Sequence, residues 1–367
     1  MRILVATGAL TLPQMVGGSQ RTGDTLLRGL KARGHDVAIT AALYGKDRLG
    51  LRARVLMKLT GRRAISDETL GYRAYRSWET AATAQEVAGH FRPDVVVVQA
   101  HKPGLVGRAF HEAGVPLLFS FQDVEFQDHK FDLRRIAPIR GVANSRFTGA
   151  AAQERFGAQC TVIHPMIDPE RYRVARPGSK VTFVNPDPVK GVDIAIAVAA
   201  LLPDVPFRLQ ETWPMGDAER RRLTDRLDGL DNVMLNPQVE DMREVYGDTR
   251  ILLAPSQWRE GYGRIATEAQ ISGIPVVGSD RGGLPEAIGA GGAILSAESP
   301  PSEWADVIRR LWDDEVYWAE KSAAALRHAA RPAIQLETQL DAWERAIMAA
   351  AAAPPGELHQ PPLGGGL

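Results

Sequence analysis

The sequence predicts an α/β protein built from two parallel-sheet domains, and three observations predict it. Short apolar runs alternate with amphipathic segments along most of the chain, the pattern of repeated strand–helix–strand units. The alternation occurs as two series, separated near residues 169–179, where Pro169, Pro177 and Gly178 fall in a charged segment. A length of 367 residues exceeds one ordinary core and suits two domains of about 150 to 200 residues.

The first series opens with a strand at Ile3–Thr7. A helix at Thr22–Ala32 follows, ended by Gly34, and then a strand at Val37–Thr40. Val95–Gln99 follows Pro93-Asp94, Leu117–Phe121 follows Gly114 and Pro116, and Gly141–Ala143 and Thr161–Ile163 complete the set. Short apolar runs between Gly and Pro read as strands covered on both faces. The second series has strands at Val181–Val184, Phe207–Gln210, Val233–Leu235, Ile251–Ala254, Pro275–Gly278 and Ala293–Leu295. Its helices include Val192–Leu202 and Trp304–Trp312, and two last helices span Val316–Ala330 and Ile334–Ala350. Residues 353–367 contain four prolines and four glycines and read as a flexible tail. The expected division is therefore 1–170, 171–332, a helix at 333–352 and the tail. Two such sheets leave a cleft at the carboxyl ends of their strands, where open α/β sheets bind ligands.

Composition narrows the function. Lys and Arg total 44 and Asp and Glu total 44, so no global charge argues for a nucleic-acid partner. The single cysteine, Cys160, excludes an intrachain disulfide and a four-cysteine zinc site and suits a buried strand position. The start M-R-I-L-V-A-T-G reads as a first strand rather than a signal peptide, and no apolar run is long enough for a spanning helix. The expected location is cytoplasmic, with at most a peripheral contact at a membrane surface.

The chemistry concentrates in residues 260–286, E-G-Y-G-R-I-A-T-E-A-Q-I-S-G-I-P-V-V-G-S-D-R-G-G-L-P-E. Glu260 and Glu268 stand eight apart across a Gly-rich turn, and Gly282-Gly283 lead into Glu286. Glycines before a helix let backbone amides approach a phosphate, and the helix N-terminus favours the anion. Lys190-Gly191, after strand Val181–Val184, supplies a point charge on a close turn. Gly17-Gly18 after the first strand offers amides to developing negative charge. The order there is G-G-S-Q-R-T-G, without G-x-G-x-x-G, which argues against a dinucleotide-binding oxidoreductase. No D-x-D cluster stands near these motifs, so no cofactor and no metal are expected.

Together E-x7-E, A-x-x-x-G-x-P-V, G-G-x-x-E, the Lys190-Gly191 pair and V-A-N-S-x-x-T at Val142–Thr148 resemble retaining glycosyltransferases of the GT-B fold, family 4, over nearly the whole chain. The resemblance implies two Rossmann-like domains facing across a cleft, with the last helix returning to the N-terminal domain. It also implies transfer of a hexose or N-acetylhexosamine from a UDP- or GDP-sugar to an acceptor hydroxyl without a covalent protein intermediate. It makes Lys190 the diphosphate ligand, Glu268 the acceptor of ribose hydroxyl bonds and Glu260 the partner of the transferred sugar. Gly261, Tyr262, Gly263 and Arg264 then present backbone to sugar and diphosphate, Val239 lies beside the base, and Glu286 lines the donor pocket. His101 and Asp123 join Glu260 and Lys190 as candidate catalytic residues. Gln122, Arg146 and Tyr72 are candidates for the acceptor side. Two positions depart from the family pattern: Asn185 stands where it has arginine, and Gln122 where it has histidine. The rival readings are a sugar-nucleotide epimerase, a phosphorylase, or a non-catalytic subunit that binds the nucleotide-sugar, and the two departures favour the last.

Residues 48–63 carry six basic side chains and no acid, with Leu51, Val55, Leu56 and Leu59 among them at helical spacing. Such a helix suits an anionic lipid surface or anionic acceptor. The preferred reading is a solvated helix whose apolar face packs on the first domain.

Overall fold

The computed structural model describes residues 1–99, 102–126, 131–175 and 178–353. The chain divides into two units, Met1–Met166 completed by residues from Leu336 onward, and Ile167–Gln335.

The first unit holds β1 (Arg2–Leu10), β2 (Asp36–Ala42), β3 (Ala64–Asp67), β4 (Arg73–Ser77), β5 (Val95–Gln99), β6 (Leu117–Phe121), β7 (Arg140–Ala143) and β8 (Gln159–Val162). Their order is β3-β4-β2-β1-β5-β6-β7-β8, parallel throughout except that β3 runs against β4. Its helices are α1 (Gly18–Ala32), α2 (Arg48–Thr60), α3 (Ala84–Phe91), α4 (Pro103–Glu112) and α5 (Arg146–Phe156). Alternate residues of each strand supply opposite cores. Leu4, Ala6, Val96 and Val98 pack to one side, and Ile3, Val5, Val95 and Val97 to the other. The apolar runs do not announce β3 and β4. A-I-S-D and R-A-Y-R-S mix charge with apolar residues, and β4 buries Arg76 at 1% exposure. That charge is tolerated because Asp67 Oδ2 lies 2.6 Å from its Nε and Leu12 O accepts from it at 2.9 Å.

Helix α2 departs from the preferred reading. Asp47 caps it by accepting the Gly50 amide at 2.7 Å, and Gly61 ends it at φ 69°, as capping rules require. The face laid on the domain is the small one, Gly50 and Ala53. Gly50 has no room for a side chain, since a β-carbon would collide with Tyr44 O. Leu56 is half-buried, but Leu51, Val55 and Leu59 are exposed. The close approach is made through small residues, so the leucines are turned outward.

The second unit holds β9 (Lys180–Val184), β10 (Phe207–Gln210), β11 (Val233–Asn236), β12 (Thr249–Ala254), β13 (Val276–Ser279) and β14 (Gly292–Leu295). All pair in parallel, in the order β11-β10-β9-β12-β13-β14. Helices α6 (Val192–Leu201), α7 (Asp217–Arg226), α8 (Met242–Tyr246), α9 (Arg264–Gln270), α10 (Leu284–Ile288), α11 (Pro301–Asp313) and α12 (Glu315–Ala329) connect and follow them. Strand succession runs outward from β9 to β11 and then resumes at β12 on the other side of β9, and such a reversal opens a crevice at the carboxyl ends of the two strands. In the first unit the same reversal falls between β1 and β5.

The last helix, α13 (Leu336–Ala351), belongs to the first unit. Leu340, Trp343 and Ile347 are buried in the core that contains α1 Leu26, Leu27 and Leu30. Gly29 of α1 leaves the gap that Leu340 fills, and Gln339 Nε2 donates to His164 O at 2.9 Å. Among the described residues no helix is long and apolar enough to cross a membrane.

Candidate functional site

At the winding reversal of the second sheet, the loops after β9 and β12 are tied together. Asn185 turns the first of them with φ 60°, and the Asp187 carboxylate caps a short 3-10 turn at Pro188–Lys190. Gly191 follows at φ 87°, so close to Pro255 O that a β-carbon would collide. Val189 O accepts the amides of Gln257 at 3.0 Å and Trp258 at 2.9 Å. These bonds bring Lys190 Nζ to 2.6 Å from Glu260 Oε1. Ser256 Oγ donates to the same oxygen at 3.0 Å. The Trp213 ring, from the loop after β10, lies with its centroid 5.1 Å from the ammonium, within cation–π range. Both side chains of the ion pair keep 17% exposure, so a ligand can still reach them.

The loop after β13 closes on the same place. Gly283 N donates to Glu260 O at 2.7 Å. A β-carbon at Gly282 or Gly283 would strike the carbonyl oxygens of Glu260 or Gly261. The need for glycine here is thus already met by packing of one loop on the other. Gly263 starts α9 with φ 92°. Glu268, one turn into that helix, is 7% exposed; its Oε2 accepts the Tyr246 hydroxyl at 3.0 Å and its Oε1 faces Arg264 Nε at 3.3 Å. Burial first, and the Glu268 charge second, push the Tyr246 hydroxyl well above the ordinary tyrosine range. Tyr246 therefore stays protonated and donates. The Tyr262 ring is buried, its hydroxyl held by Thr267 and Arg331, so only its backbone is available to a ligand. Glu286 sits half-buried in the first turn of α10. Val239 is half-buried beyond β11, in a loop anchored by Gln210 Nε2 donating to Pro237 O at 2.6 Å.

The reversal point of the first sheet forms a cavity of about 490 Å³. Gly8 and Leu10 at the carboxyl end of β1, Ser19 and Gln20 at the start of α1, and Gln122, Asp123 and Glu125 after β6 line it. Gly17 is the N-cap of α1 and Gly18 its first residue. Gln122 Nε2 faces Ser120 Oγ at 3.2 Å and Gln99 Oε1 at 3.4 Å, and Asp123 Oδ1 accepts the Glu125 amide at 3.0 Å. Arg146 is the exposed first residue of α5, behind the Ser145 cap. Tyr72 is not an acceptor-side residue. It is 4% exposed in the α1 core, with its hydroxyl donating to Asp24 at 2.9 Å; burial, ahead of the Asp24 charge, raises its pKa. His101 and the tail from residue 354 lie outside the described residues. Among the described residues no group of three or more His, Cys, Asp or Glu is placed to hold a metal ion.

Two family models match the chain: Glycosyltransferase Family 4 over residues 16–171, and Glycosyl transferases group 1 over residues 180–314. The chain belongs to the family 4 glycosyltransferases. D-inositol 3-phosphate glycosyltransferase of Mycolicibacterium smegmatis is 34% identical over 195 residues, 46% of this chain and 43% of that protein. The chain spans about half the length of the curated relatives it matches. Sucrose-phosphate synthase from Thermosynechococcus elongatus superposes with TM-score 0.76 at 16% identity, covering 95% of this chain and 100% of that one. Anabaena Alr3699/HepE in complex with UDP does so with TM-score 0.75 at 18% identity, with the same coverage. At these identities the likeness establishes the fold, which is GT-B.

For a family 4 glycosyltransferase, Asn185 is the notable departure, and its geometry gives it a different task. Its Oδ1 accepts from the Thr212 amide at 3.0 Å, the Thr212 hydroxyl at 2.6 Å and the Trp213 amide at 2.9 Å. Asparagine tolerates the left-handed turn and fastens the Trp213 loop beside Lys190. Only its Nδ2 remains for a ligand. Trp213 and Ser256, which flank the Lys190–Glu260 pair, are not singled out by the sequence reading. The one hint for Trp213 is position, since the first residues beyond a parallel strand's carboxyl end face the crevice.

Proposed function

We propose that the protein is a retaining glycosyltransferase that moves a hexose or N-acetylhexosamine from a UDP- or GDP-sugar to an acceptor hydroxyl. The observation that carries this reading is the Lys190–Glu260 pair at 2.6 Å, held at the winding reversal of the second sheet by three loops. An ammonium whose charge is paired with a partly exposed carboxylate can exchange it for a diphosphate, whose two charges are the stronger partner. Glu260 is then released to accept a bond from a sugar hydroxyl, with Ser256 holding its orientation. Glu268 offers lone pairs to the ribose diol. The solved complexes of Alr3699/HepE with UDP and with UDP-glucose support the same ligand class.

In the reaction the anomeric carbon–phosphate oxygen bond breaks as the acceptor oxygen bonds to that carbon from the same face. The acceptor proton passes to the departing phosphate oxygen. Lys190 offsets the charge that develops there, so rate comes from orientation and electrostatics.

Calorimetric titration with UDP, GDP, ADP and dTDP, then mass spectrometry with the matching sugar donors and an acceptor library, tests the reading. A glycosylated acceptor is expected. Free nucleotide with an isomerised sugar and no acceptor consumed would show an epimerase instead; donor binding without turnover until another chain is added would show a partner subunit.

A further inference from the structure

Helix α2 exposes the wrong side chains for a solvated helix. Leu51 is 51%, Val55 57% and Leu59 77% exposed, although each could have been buried had the helix been rotated. At about 100° per residue the three fall within roughly 80° of arc, and Arg48 and Arg52 lie on or beside it. Arg54 and Lys58 flank the other edge, and Arg54 stacks over Trp78, itself 50% exposed, at 5.8 Å. Arg62 and Arg63 follow immediately, both exposed. The nearby carboxylates are already engaged with backbone: Asp47 caps the helix, and Glu86 accepts the amides of Arg63 and Ala64.

We propose that the outer face of α2 docks on an anionic lipid bilayer, with Leu51, Val55 and Leu59 entering the acyl boundary and the six cations of residues 48–63 meeting acidic headgroups. This pairing of an apolar stripe with flanking cations is what an interfacial helix requires. A second copy of the chain fits poorly, since a self-complementary contact sets the same cations against each other. A nucleic acid would satisfy the charge but leave the leucines in water. Gln14 Nε2 ties the Met15 loop to the helix start, 2.9 Å from both Tyr44 O and Asp47 Oδ1. Met15 lines the first-unit cavity, so docking brings the rim of that cavity to the lipid surface.

Co-sedimentation with phosphatidylglycerol–phosphatidylcholine vesicles tests this on the full chain. The expected result is binding that rises with phosphatidylglycerol, falls with salt and is absent on pure phosphatidylcholine. Arg52→Ala and Lys58→Ala should each lower partitioning about fivefold, and Leu59→Glu by at least about tenfold. Circular-dichroism melting should be unchanged, because these side chains are exposed; Leu59→Ser is the milder variant if Leu59→Glu melts early. The inference is overturned by no sedimentation at any phosphatidylglycerol content, or by binding that Leu51→Glu and Leu59→Glu leave intact. It is equally overturned if Leu59→Glu instead abolishes self-association, or if only a duplex oligonucleotide binds the helix.

Discussion

Lys190 holds a position where one side chain answers to two partners, and the energetics follow from the exchange. Removing the ammonium takes a charge-assisted bond from the diphosphate and leaves Glu260 held by Ser256 alone. Lys190→Ala should therefore weaken nucleoside diphosphate binding about 10- to 100-fold, measured by calorimetry; an unchanged dissociation constant would reject the assignment. Glu268→Ala strands the buried Tyr246 hydroxyl as well as removing the candidate ribose contact. It should cost about 1–3 kcal/mol of stability in chemical denaturation, an effect that Glu268→Ala with Tyr246→Phe together largely restores. Cys160 makes a pH prediction. Burial pushes its thiol up to about 11, so less thiolate exists at any given pH than on a free cysteine. Alkylation by iodoacetamide at pH 8 should run well below the rate of a cysteine peptide and still be rising at pH 10; a plateau near pH 9 would contradict this. The charged part of the site is legible in the sequence because Lys190 and Glu260 sit beside glycines in loops and Glu268 lies in the helix that Gly263 starts, so the pattern that marks them is local. Trp213 is not, since its partner Lys190 is brought to it only by the pairing of β9 with β10. Tyr72 misleads for the opposite reason: an aromatic near basic residues looks available, but Tyr72, just before β4, is buried in the core that holds Leu26, Leu27 and Leu30.

Among the elements, the parallel strands are readable almost to the residue, as at Val95–Gln99 and Leu117–Phe121, because a strand covered on both faces must be apolar throughout. The end of the sheet escapes that rule. There the edge strand β3 and its neighbour β4 set polar residues against solvent or each other, as Arg76 against Asp67. Helix α2 fails as a prediction for a related reason: periodicity identifies an apolar stripe but not which side the domain covers. Helix α13 yields two tests. Trp343, 3% exposed, should cost about 3–5 kcal/mol when replaced by alanine, read from denaturant midpoints. Trp343→Phe should cost far less, since it also removes an indole N–H that has no acceptor among the described residues. The helix is further held by Glu344, whose carboxyl the His35 and then the Arg33 hydrogen bonds lower below its ordinary range. A carboxylate depressed in the fold stabilises it above the unfolded pKa and loses that contribution as pH falls. The denaturation midpoint should thus drop below about pH 4, and Glu344→Gln should flatten that dependence; an identical profile in the variant would exclude the pair as its source.

At the scale of the whole molecule, the units differ in how they are drawn from the chain. Asn185, Lys190, Glu260, Glu268, Gly282, Gly283 and Glu286 all belong to Ile167–Gln335, one uninterrupted segment. That segment expressed alone should fold and bind a nucleoside diphosphate to within about 1.4 kcal/mol of the full chain, a factor of ten. A fragment folded by circular dichroism yet unable to bind would assign the affinity to the first unit. The first unit has no such independence, since Leu340, Trp343 and Ile347 arrive from the far end of the sequence. On the ribosome this inverts the order of completion. All eight strands of the leading sheet emerge early and then wait, one flank bare, while the trailing sheet is made and closes by itself. A nascent chain stalled before residue 336 should accordingly expose greasy surface to chaperones at Leu26, Leu27 and Leu30, and lose it only when synthesis reaches the final helix.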